Sequence, residues 1–178
     1  PLSPDPADIH IEDIAHHLSL LCRYNGGIIR FLSVAEHCVR VSRRAEWLVA
    51  VTGRDPIVAA KWGLLHDAAE YPLNHMPRPV KYAPGMEGRR AIEHQLGRVI
   101  LTKFGLPLEE PPEIKVADLE MLSAEVRQLK PGAWADPEWR ATAPGGTLLD
   151  PPDVGALGWS PEEARAAFLI RFHELWGP

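Results

Sequence analysis

Residues 55–70 have the sequence DPIVAAKWGLLHDAAE, and this segment decides the fold class. An aspartate followed by proline is a typical helix start, with Asp55 as the N-cap and Pro56 as the first helical residue. The apolar run that follows predicts a helix continuing through Glu70. His66 and Asp67 lie near its C-terminal end. Two adjacent side chains on a helix diverge, so this pair can face a common point only at a helix end or a local bend.

The remaining apolar segments also repeat with helical spacing. Asn-Gly-Gly at 25–27 ends the first helix, and Gly105 is typical of the residue after a helix. Ser33 and Glu36 have the spacing of a capping box, and Ser160 and Glu163 repeat it. We expect helices over 11–22, 33–51, 56–70, 87–104 and 112–129, and from Ser160 onward. In the helix 112–129 the recurring apolar residues are Val116, Leu119, Leu122, Val126 and Leu129. No segment alternates as a strand would. The prediction is therefore an all-α bundle of about six helices.

Two segments lack this periodicity. Residues 71–82, YPLNHMPRPVKY, contain three prolines and are expected to form a loop. Residues 130–159 contain five prolines, five glycines and three tryptophans, Trp134, Trp139 and Trp159. A long irregular segment in a compact domain is typical of a lid or an interface. Residues 1–178 are otherwise expected to form a single domain.

Bulk properties exclude several classes of protein. The chain has 178 residues, 46% hydrophobic and 24% charged, which is ordinary for a globular domain. A net charge of −5 argues against a general nucleic-acid-binding protein. No apolar window is long enough to span a membrane, and the acidic start does not resemble a signal peptide. Cys22 and Cys38 lie on apolar helical faces, as expected of reduced cysteines in a cytoplasmic protein.

Four residues have the chemistry of metal ligands: His37, His66, Asp67 and Asp118. Two imidazoles and two carboxylates from three helices suit one divalent transition metal such as Zn, Mn or Co, with positions left for water and substrate. Taken singly, each residue has a simpler explanation, because a lone histidine is more often a core residue and Asp118 could pair with an arginine. A carboxylate on an apolar helix face nevertheless requires a counter-charge, and a divalent cation supplies one.

Motifs around these residues resemble those of the HD-domain metal-dependent phosphohydrolases. The motifs are SVAEH at 33–37, LLHDAAE at 64–70 and VADLEML at 116–122. Two further stretches, DIHIEDIAHHLSLLCRY at 8–24 and MPRPVKY at 76–82, resemble the branch that contains the YfbR-like 5′-deoxynucleotidases and the phage dATP triphosphohydrolases. The resemblance implies that the four residues bind the metal, with Mg possible as a second ion.

The resemblance also implies catalytic and substrate-binding residues. Glu70 would orient the attacking water as an acid/base. The substrate-binding residues would be Arg23, Tyr24, Pro79 and Lys81, with Lys81 facing phosphate and Pro79 lining the base pocket. Without the resemblance, Arg23 and Lys81 could equally be solvated surface charges, Tyr24 a core-rim residue and Glu70 a helix-surface acid.

One position departs from the family pattern. Where the family often has an aspartate, in a loop resembling GDIP, this chain has NHMP with His75. The change could weaken a second metal position. Alternatively, His75 supplies a proton to the leaving oxygen, because an imidazole titrates in the right range.

The leading hypothesis is a dATP-preferring triphosphohydrolase that releases deoxynucleoside and triphosphate. A 5′-deoxynucleotidase acting on dNMPs is the alternative. A cyclic-nucleotide or alarmone hydrolase is a third enzymatic hypothesis. A non-catalytic module that uses the tryptophan-rich segment for a partner is the competing class. We expect a small nucleotide as ligand, no nucleic acid or membrane, and a homo-oligomer, either a dimer or a hexamer.

Overall fold

The computed structural model describes residues 4–137 and 153–177. Within these residues the chain forms α-helices and short 3₁₀ turns, and the β-structure is limited to an isolated antiparallel bridge between Cys22 and Ser33. The all-α prediction is confirmed. In the same residues, no helix combines the length and the apolar character needed to cross a membrane.

The helices are α1 Ile11–Leu20, α2 Val34–Ala50, α3 Ile57–Leu65, α4 Arg78–Lys81, α5 Glu87–Lys103, α6 Pro112–Leu129, α7 Pro131–Ala135 and α8 Pro161–Trp176. The 3₁₀ turns are Pro6–Asp8, Arg23–Gly26 and Ala68–Glu70. Helix α2 is central, because it packs against α1, α3, α6 and α8. Most of the buried apolar side chains form one core around it, with Ile14, Leu18, Leu64, Ile100 and Phe168 among the largest.

Helices α2 and α3 approach each other closely at a glycine. A Cβ atom on Gly63 would lie 2.9 Å from the Cα of Ser42 on α2, so a larger residue would push the helices apart. The Ser42 hydroxyl donates to the carbonyl of Ala60 at 2.7 Å, and Arg171 of α8 donates to the same hydroxyl at 3.0 Å. These contacts fix the position of the end of α3 relative to α2.

The segment predicted as one helix from Pro56 to Glu70 is two elements. Asp55 accepts a hydrogen bond from the Ile57 amide at 3.0 Å, and α3 begins there. The helix ends at Leu65 because the imidazole of His66 donates to the Gly63 carbonyl at 2.8 Å, which a continuing helix would use for the amide of Asp67. The expected continuation of the helix through Glu70 is wrong, and the predicted local bend is present.

The two expected capping boxes form to different extents. The one at Ser160 is complete, because its hydroxyl accepts from the Glu163 amide and the Glu163 carboxylate accepts from the Ser160 amide. At Ser33 only the first half forms, with the hydroxyl accepting from the Glu36 amide at 3.0 Å. The fully buried Glu36 carboxylate instead accepts from the Trp159 amide at 2.8 Å. The same carboxylate also pairs with Arg40 at 2.7 Å, so these contacts take the place of the reciprocal cap.

The two irregular segments contain more structure than predicted. Within 71–82 the chain forms α4, and within 130–159 it forms α7. Trp134 and Trp159 are half-buried, and Trp159 lies against the guanidinium of Arg40. Trp139 lies outside the described residues. The expected end of α5 is confirmed, since Gly105 follows the helix with a φ of +70°.

Candidate metal centre

His37 and His66 face each other across the contact between α2 and α3. His37 is in the first turn of α2 and is fully buried, and His66 follows the last residue of α3. Their Nε2 atoms are 3.2 Å apart. The close packing at Gly63, one turn before His66, brings the two rings this near.

The hydrogen bonds on the opposite ring nitrogens define the tautomers. His66 Nδ1 lies 2.8 Å from the Gly63 carbonyl, and His37 Nδ1 lies 2.6 Å from a carboxylate oxygen of Glu125. Both partners only accept, so each Nδ1 carries hydrogen and each neutral imidazole presents its Nε2 lone pair. Two lone pairs 3.2 Å apart repel each other unless a cation lies between them. A proton or a metal ion satisfies this requirement.

Two carboxylates complete the cluster. Asp118 Oδ1 on α6 lies 3.3 Å from His37 Nε2. Asp67 Oδ2 lies 3.4 Å from His66 Nε2 and 3.9 Å from His37 Nε2. Ligands about 2.0–2.1 Å from a metal in tetrahedral or octahedral geometry are about 3.0–3.4 Å from one another. His37, His66 and Asp118 therefore lie close enough together to hold one divalent ion, and Asp67 lies beside them, next to His66.

The charges at this point also favour a cation. Burial alone would raise the pKa of the Asp67 and Asp118 carboxyls and lower that of both imidazoles. The neighbouring histidines outweigh burial, so the pKa of Asp118 falls to about 2 and that of Asp67 lies well below its usual range. The pKa values of His37 and His66 are raised, because carboxylates beside them outweigh burial. The cluster holds its carboxylates ionised and attracts positive charge.

Glu125 supports the cluster and was not found from the sequence. It lies two turns after Asp118 on α6 and is 1% exposed. Its Oε1 contacts His37 Nδ1, and its Oε2 accepts from Arg23 Nε at 3.0 Å and from the Tyr24 hydroxyl at 2.8 Å. Burial raises its pKa, but Arg23 and His37 outweigh burial and lower it, so the carboxylate is ionised. Such a partner orients the imidazole and raises its basicity as a ligand.

Arg23 and Tyr24 lie beside the centre rather than on the surface. Arg23 is 7% exposed, and its NH1 is 3.7 Å from Asp67 Oδ2, so its outer guanidinium faces the cluster. Tyr24 and Asn25 have φ values of +56° and +50°, which place the turn in the left-handed region. The Tyr24 ring lies 5.4 Å from the Lys130 ammonium.

Glu70 and His75 form a further pair near Asp67. Glu70 is 4% exposed, and His75 Nδ1 lies 2.9 Å from its Oε2. Burial and the nearby Asp67 raise the pKa of Glu70, and His75 partly offsets this. A carboxyl with a raised pKa beside a metal centre is suited to accept a proton from water.

Lys81 is within electrostatic range of the centre but already has a partner. Its ammonium pairs with Glu93 of α5. Burial lowers its pKa, while Glu93, followed by Asp67 and Glu70, raises it overall. Pro79 belongs to α4, and its side chain is outside the part of the chain that the structure describes. Its predicted place in a base pocket stays a prediction.

Cys38 is a further potential ligand that the sequence did not single out. It follows His37 on α2 and is fully buried. Its sulfur, a nitrogen of His66 and an oxygen of Asp67 lie within 4.8 Å of one another. Burial raises the pKa of this thiol.

The sequence of this chain is similar to those of known proteins. A family model described as HD domain matches residues 34–143, which include the four clustered residues. An uncharacterized protein of Rhodobacter capsulatus is 37% identical over 187 aligned positions, covering 98% of this chain and 89% of the relative. The uncharacterized protein YfdR of Escherichia coli K12 is 36% identical over 122 positions, covering 68% of this chain and 62% of the relative.

Proposed function

This chain belongs to the HD-domain family of metal-dependent hydrolases, and from that premise we propose that it hydrolyses the 5′ phosphoester of deoxynucleotides. One observation carries the proposal. Two imidazole lone pairs face each other at 3.2 Å, and two ionised carboxylates flank them, which is an arrangement that a divalent cation stabilises. A helical binding module has no need of this arrangement.

The proposed reaction divides its tasks between the ion and the chain. A bound divalent ion supplies Lewis acidity, which lowers the pKa of water and neutralises charge on a phosphoryl oxygen. Glu70 accepts the proton that the attacking water loses as its oxygen bonds to phosphorus. The raised pKa of Glu70 supports this role, because a carboxyl poised closer to neutrality is a better acceptor.

We propose that His75 carries the proton lost by the attacking water to the leaving oxygen. The bond from phosphorus to the 5′ oxygen breaks, and the leaving oxygen takes up a proton. His75 contacts Glu70 at 2.9 Å, so a proton taken from water can pass to the imidazole and then to the leaving group. His75→Ala is expected to lower kcat, and unchanged turnover in this variant would remove His75 from the reaction.

Arg23 is the proposed phosphate-binding residue. Its Nε donates to Glu125, while its NH1 lies 3.7 Å from Asp67 Oδ2 at the candidate metal centre. A guanidinium held in this way keeps donors free for a phosphate oxygen. Lys81 contributes to the same positive field from beside Glu93.

The triphosphate form of the proposal is the leading one, with dATP as the preferred substrate. The CRYNGG, SVAEH and PRPVK stretches, which resemble those of the phage dATP triphosphohydrolases, support it. Attack at the α-phosphorus would then release inorganic triphosphate and deoxyadenosine.

One observation favours a second candidate, the 5′-deoxynucleotidase. Arg23 and Lys81 are both already paired with glutamates, Glu125 and Glu93. Neither offers a full uncompensated charge, and a monophosphate needs less compensation than a triphosphate. Its products would be deoxynucleoside and phosphate.

A substrate panel tests both candidates. Metal-loaded protein is incubated with dNTPs, NTPs and dNMPs, and phosphate and triphosphate are separated by ion chromatography. Triphosphate from dATP supports the leading candidate, and phosphate from dNMPs supports the second. His66→Ala serves as the matched control, because it removes a proposed ligand. No product from any substrate with Mn²⁺, Co²⁺ or Zn²⁺ would overturn the hydrolase proposal and favour the binding module.

A further inference from the structure

Glu125 connects the Arg23–Tyr24 turn to the candidate metal centre. We propose that Tyr24 is a positioning residue for the metal: its hydroxyl, acting through Glu125, holds His37 in its ligand orientation, and metal occupancy is thereby coupled to the conformation of the turn. The inference rests on the proposed metal centre and gives Tyr24 a different task from stacking on a base.

The two oxygens of the Glu125 carboxylate have separate partners. Oε2 accepts from the Tyr24 hydroxyl at 2.8 Å and from Arg23 Nε at 3.0 Å. Oε1 contacts His37 Nδ1 at 2.6 Å. A carboxylate is planar and rigid, so two donors that fix Oε2 also fix where Oε1 lies. The turn therefore determines the position of the Glu125 oxygen that contacts His37. The orientation of the His37 ring, and with it the direction of Nε2, follows from that contact.

Burial makes this arrangement sensitive to the loss of one donor. Glu125 is 1% exposed and His37 is fully buried, so water cannot readily replace a missing partner. A buried charged acceptor that loses a donor retains its desolvation penalty. Without the Tyr24 hydroxyl, the carboxylate is free to rotate toward Arg23, and the short contact with His37 is weakened.

The turn itself requires support. Tyr24 and Asn25 are consecutive non-glycine residues at φ values of +56° and +50°. Such residues are held in the left-handed region only when surrounding contacts compensate for the strain. The Tyr24–Glu125 bond is one such contact, and the hydrogen bond from the Gly27 amide to the Tyr24 carbonyl at 2.9 Å is another.

Coupling of this kind is reciprocal. If the turn strengthens metal binding through Glu125, then the bound metal stabilises the turn by the same free energy. Metal loading should slow amide hydrogen exchange in the turn as well as around His37. The Gly27 amide is the most direct reporter, because its hydrogen bond to the Tyr24 carbonyl closes the turn.

Tyr24→Phe separates positioning from stacking, because phenylalanine keeps the aromatic face and lacks only the hydroxyl. Metal-free protein is titrated with Mn²⁺ and Co²⁺ by calorimetry, and the Co²⁺ absorption spectrum is recorded. Loss of a residue that orients a ligand weakens metal binding about 10–100-fold, and we expect about tenfold for Tyr24→Phe, one bond further away. The spectrum should change, and metal should no longer slow exchange in the turn. Tyr82→Phe, at a tyrosine that is 59% exposed, is the matched control and should bind as the wild type does.

The outcomes are distinct. Wild-type metal affinity and spectrum in Tyr24→Phe would overturn the inference, and a raised KM beside them would assign the Tyr24 hydroxyl to substrate binding instead. Both results leave the proposed hydrolase intact. A wild-type chain that binds no divalent ion would overturn the inference and the proposed function together. Glu125→Gln, checked for folding by circular dichroism, should weaken metal binding at least as much as Tyr24→Phe.

Discussion

The two sides of the candidate metal centre are held in different ways. On the His37 side, the fully buried imidazole contacts a buried carboxylate, Glu125, to which Arg23 and Tyr24 also donate. On the Glu70 side, the pair with His75 lies in a turn and the loop after it. The first side is built from α2 and α6, and the second from short elements. Long helices carry two of the four proposed ligands, and the turn that follows α3 carries the other two together with Glu70.

Exposure also differs between parts of the centre. The side chains of His37 and Glu125 are 0% and 2% exposed, whereas those of Asp67 and Asp118 are 22% and 32% exposed. The centre is therefore buried at His37 and Glu125 and accessible to solvent at the two aspartates. This open direction leaves room for a water and a substrate to reach the candidate metal centre.

Removal of a ligand should have the largest effect. His66→Ala takes away one of two imidazoles that face each other, and we expect loss of the bound ion together with loss of hydrolysis. Metal content by mass spectrometry and product release measure both. His94→Ala, at an exposed histidine on α5, should change neither. A His66→Ala chain that keeps one ion would contradict the assignment of the ligands.

Glu70→Gln should separate the two sides. Glutamine keeps the shape of the side chain but cannot accept a proton, so we expect kcat to fall about 10²–10⁴-fold while the metal stays bound. Glu12→Gln, on the exposed face of α1, is the control. Loss of metal in step with activity would show that Glu70 supports the ligands, and the distinction between the sides would fail.

Gly63→Ala tests the helix contact beneath the ligands. The added methyl would meet Ser42 backbone at 2.9 Å, and overpacking of this kind destabilises a fold by about 1–3 kcal/mol. Urea unfolding should show this loss, with weaker metal binding because His66 moves away from His37. Gly88→Ala, which meets no atom within 4 Å, should be neutral or slightly stabilising. Equal stability of the two variants would show that α2 and α3 can separate freely.

A pH dependence of metal-free protein is the smallest expected effect. The raised pKa values of His37 and His66 mean that their contribution to stability is complete below about pH 6.5 and is lost as pH rises through those values. Asp118 behaves oppositely, since its contribution is lost only as pH falls toward about 2. Metal-free protein should therefore unfold at lower urea concentration at pH 9 than at pH 6.

Metal should remove most of that alkaline loss, because a divalent ion replaces the proton between the imidazoles. The measurement is a pair of urea titrations at each pH, with chelator and with Co²⁺. If chelated protein is as stable at pH 9 as at pH 6, the electrostatic account of the His37 side is wrong.

The features predicted correctly from the sequence are those that depend on interactions between neighbouring residues. Caps at Ser33 and Ser160, the glycine after α5, and most helix bounds follow from local chemistry. The clustered ligands could also be predicted from the sequence, because each lies on a regular helix or directly after one. The end of α3 was missed because it depends on the His66 side chain taking the Gly63 carbonyl.

Glu125 was missed because the buried face of α6 was assigned only in part: Val126 and Leu129 of the predicted stripe are buried, but the first half of the stripe is wrong. The apolar stripe began at Val116, which is 41% exposed. The buried face instead follows the residues Ile114, Ala117, Met121 and Ala124. Because this face contains small and medium side chains, its hydrophobic periodicity in the sequence is weak. Asp118 and Glu125 each directly follow one of its alanines. Which face is buried depends on the packing of α6 against α2, and that information is not local.

The most direct test of the central claim is metal dependence in one preparation. Purified protein is stripped with chelator, reloaded with Mn²⁺ or Co²⁺, and assayed with dATP and dAMP at each stage while bound metal is counted. We predict one tightly bound divalent ion per chain, deoxynucleotide hydrolysis that disappears on stripping, and its return on reloading. Hydrolysis that persists in chelator, or a chain that takes up no ion, would contradict the account.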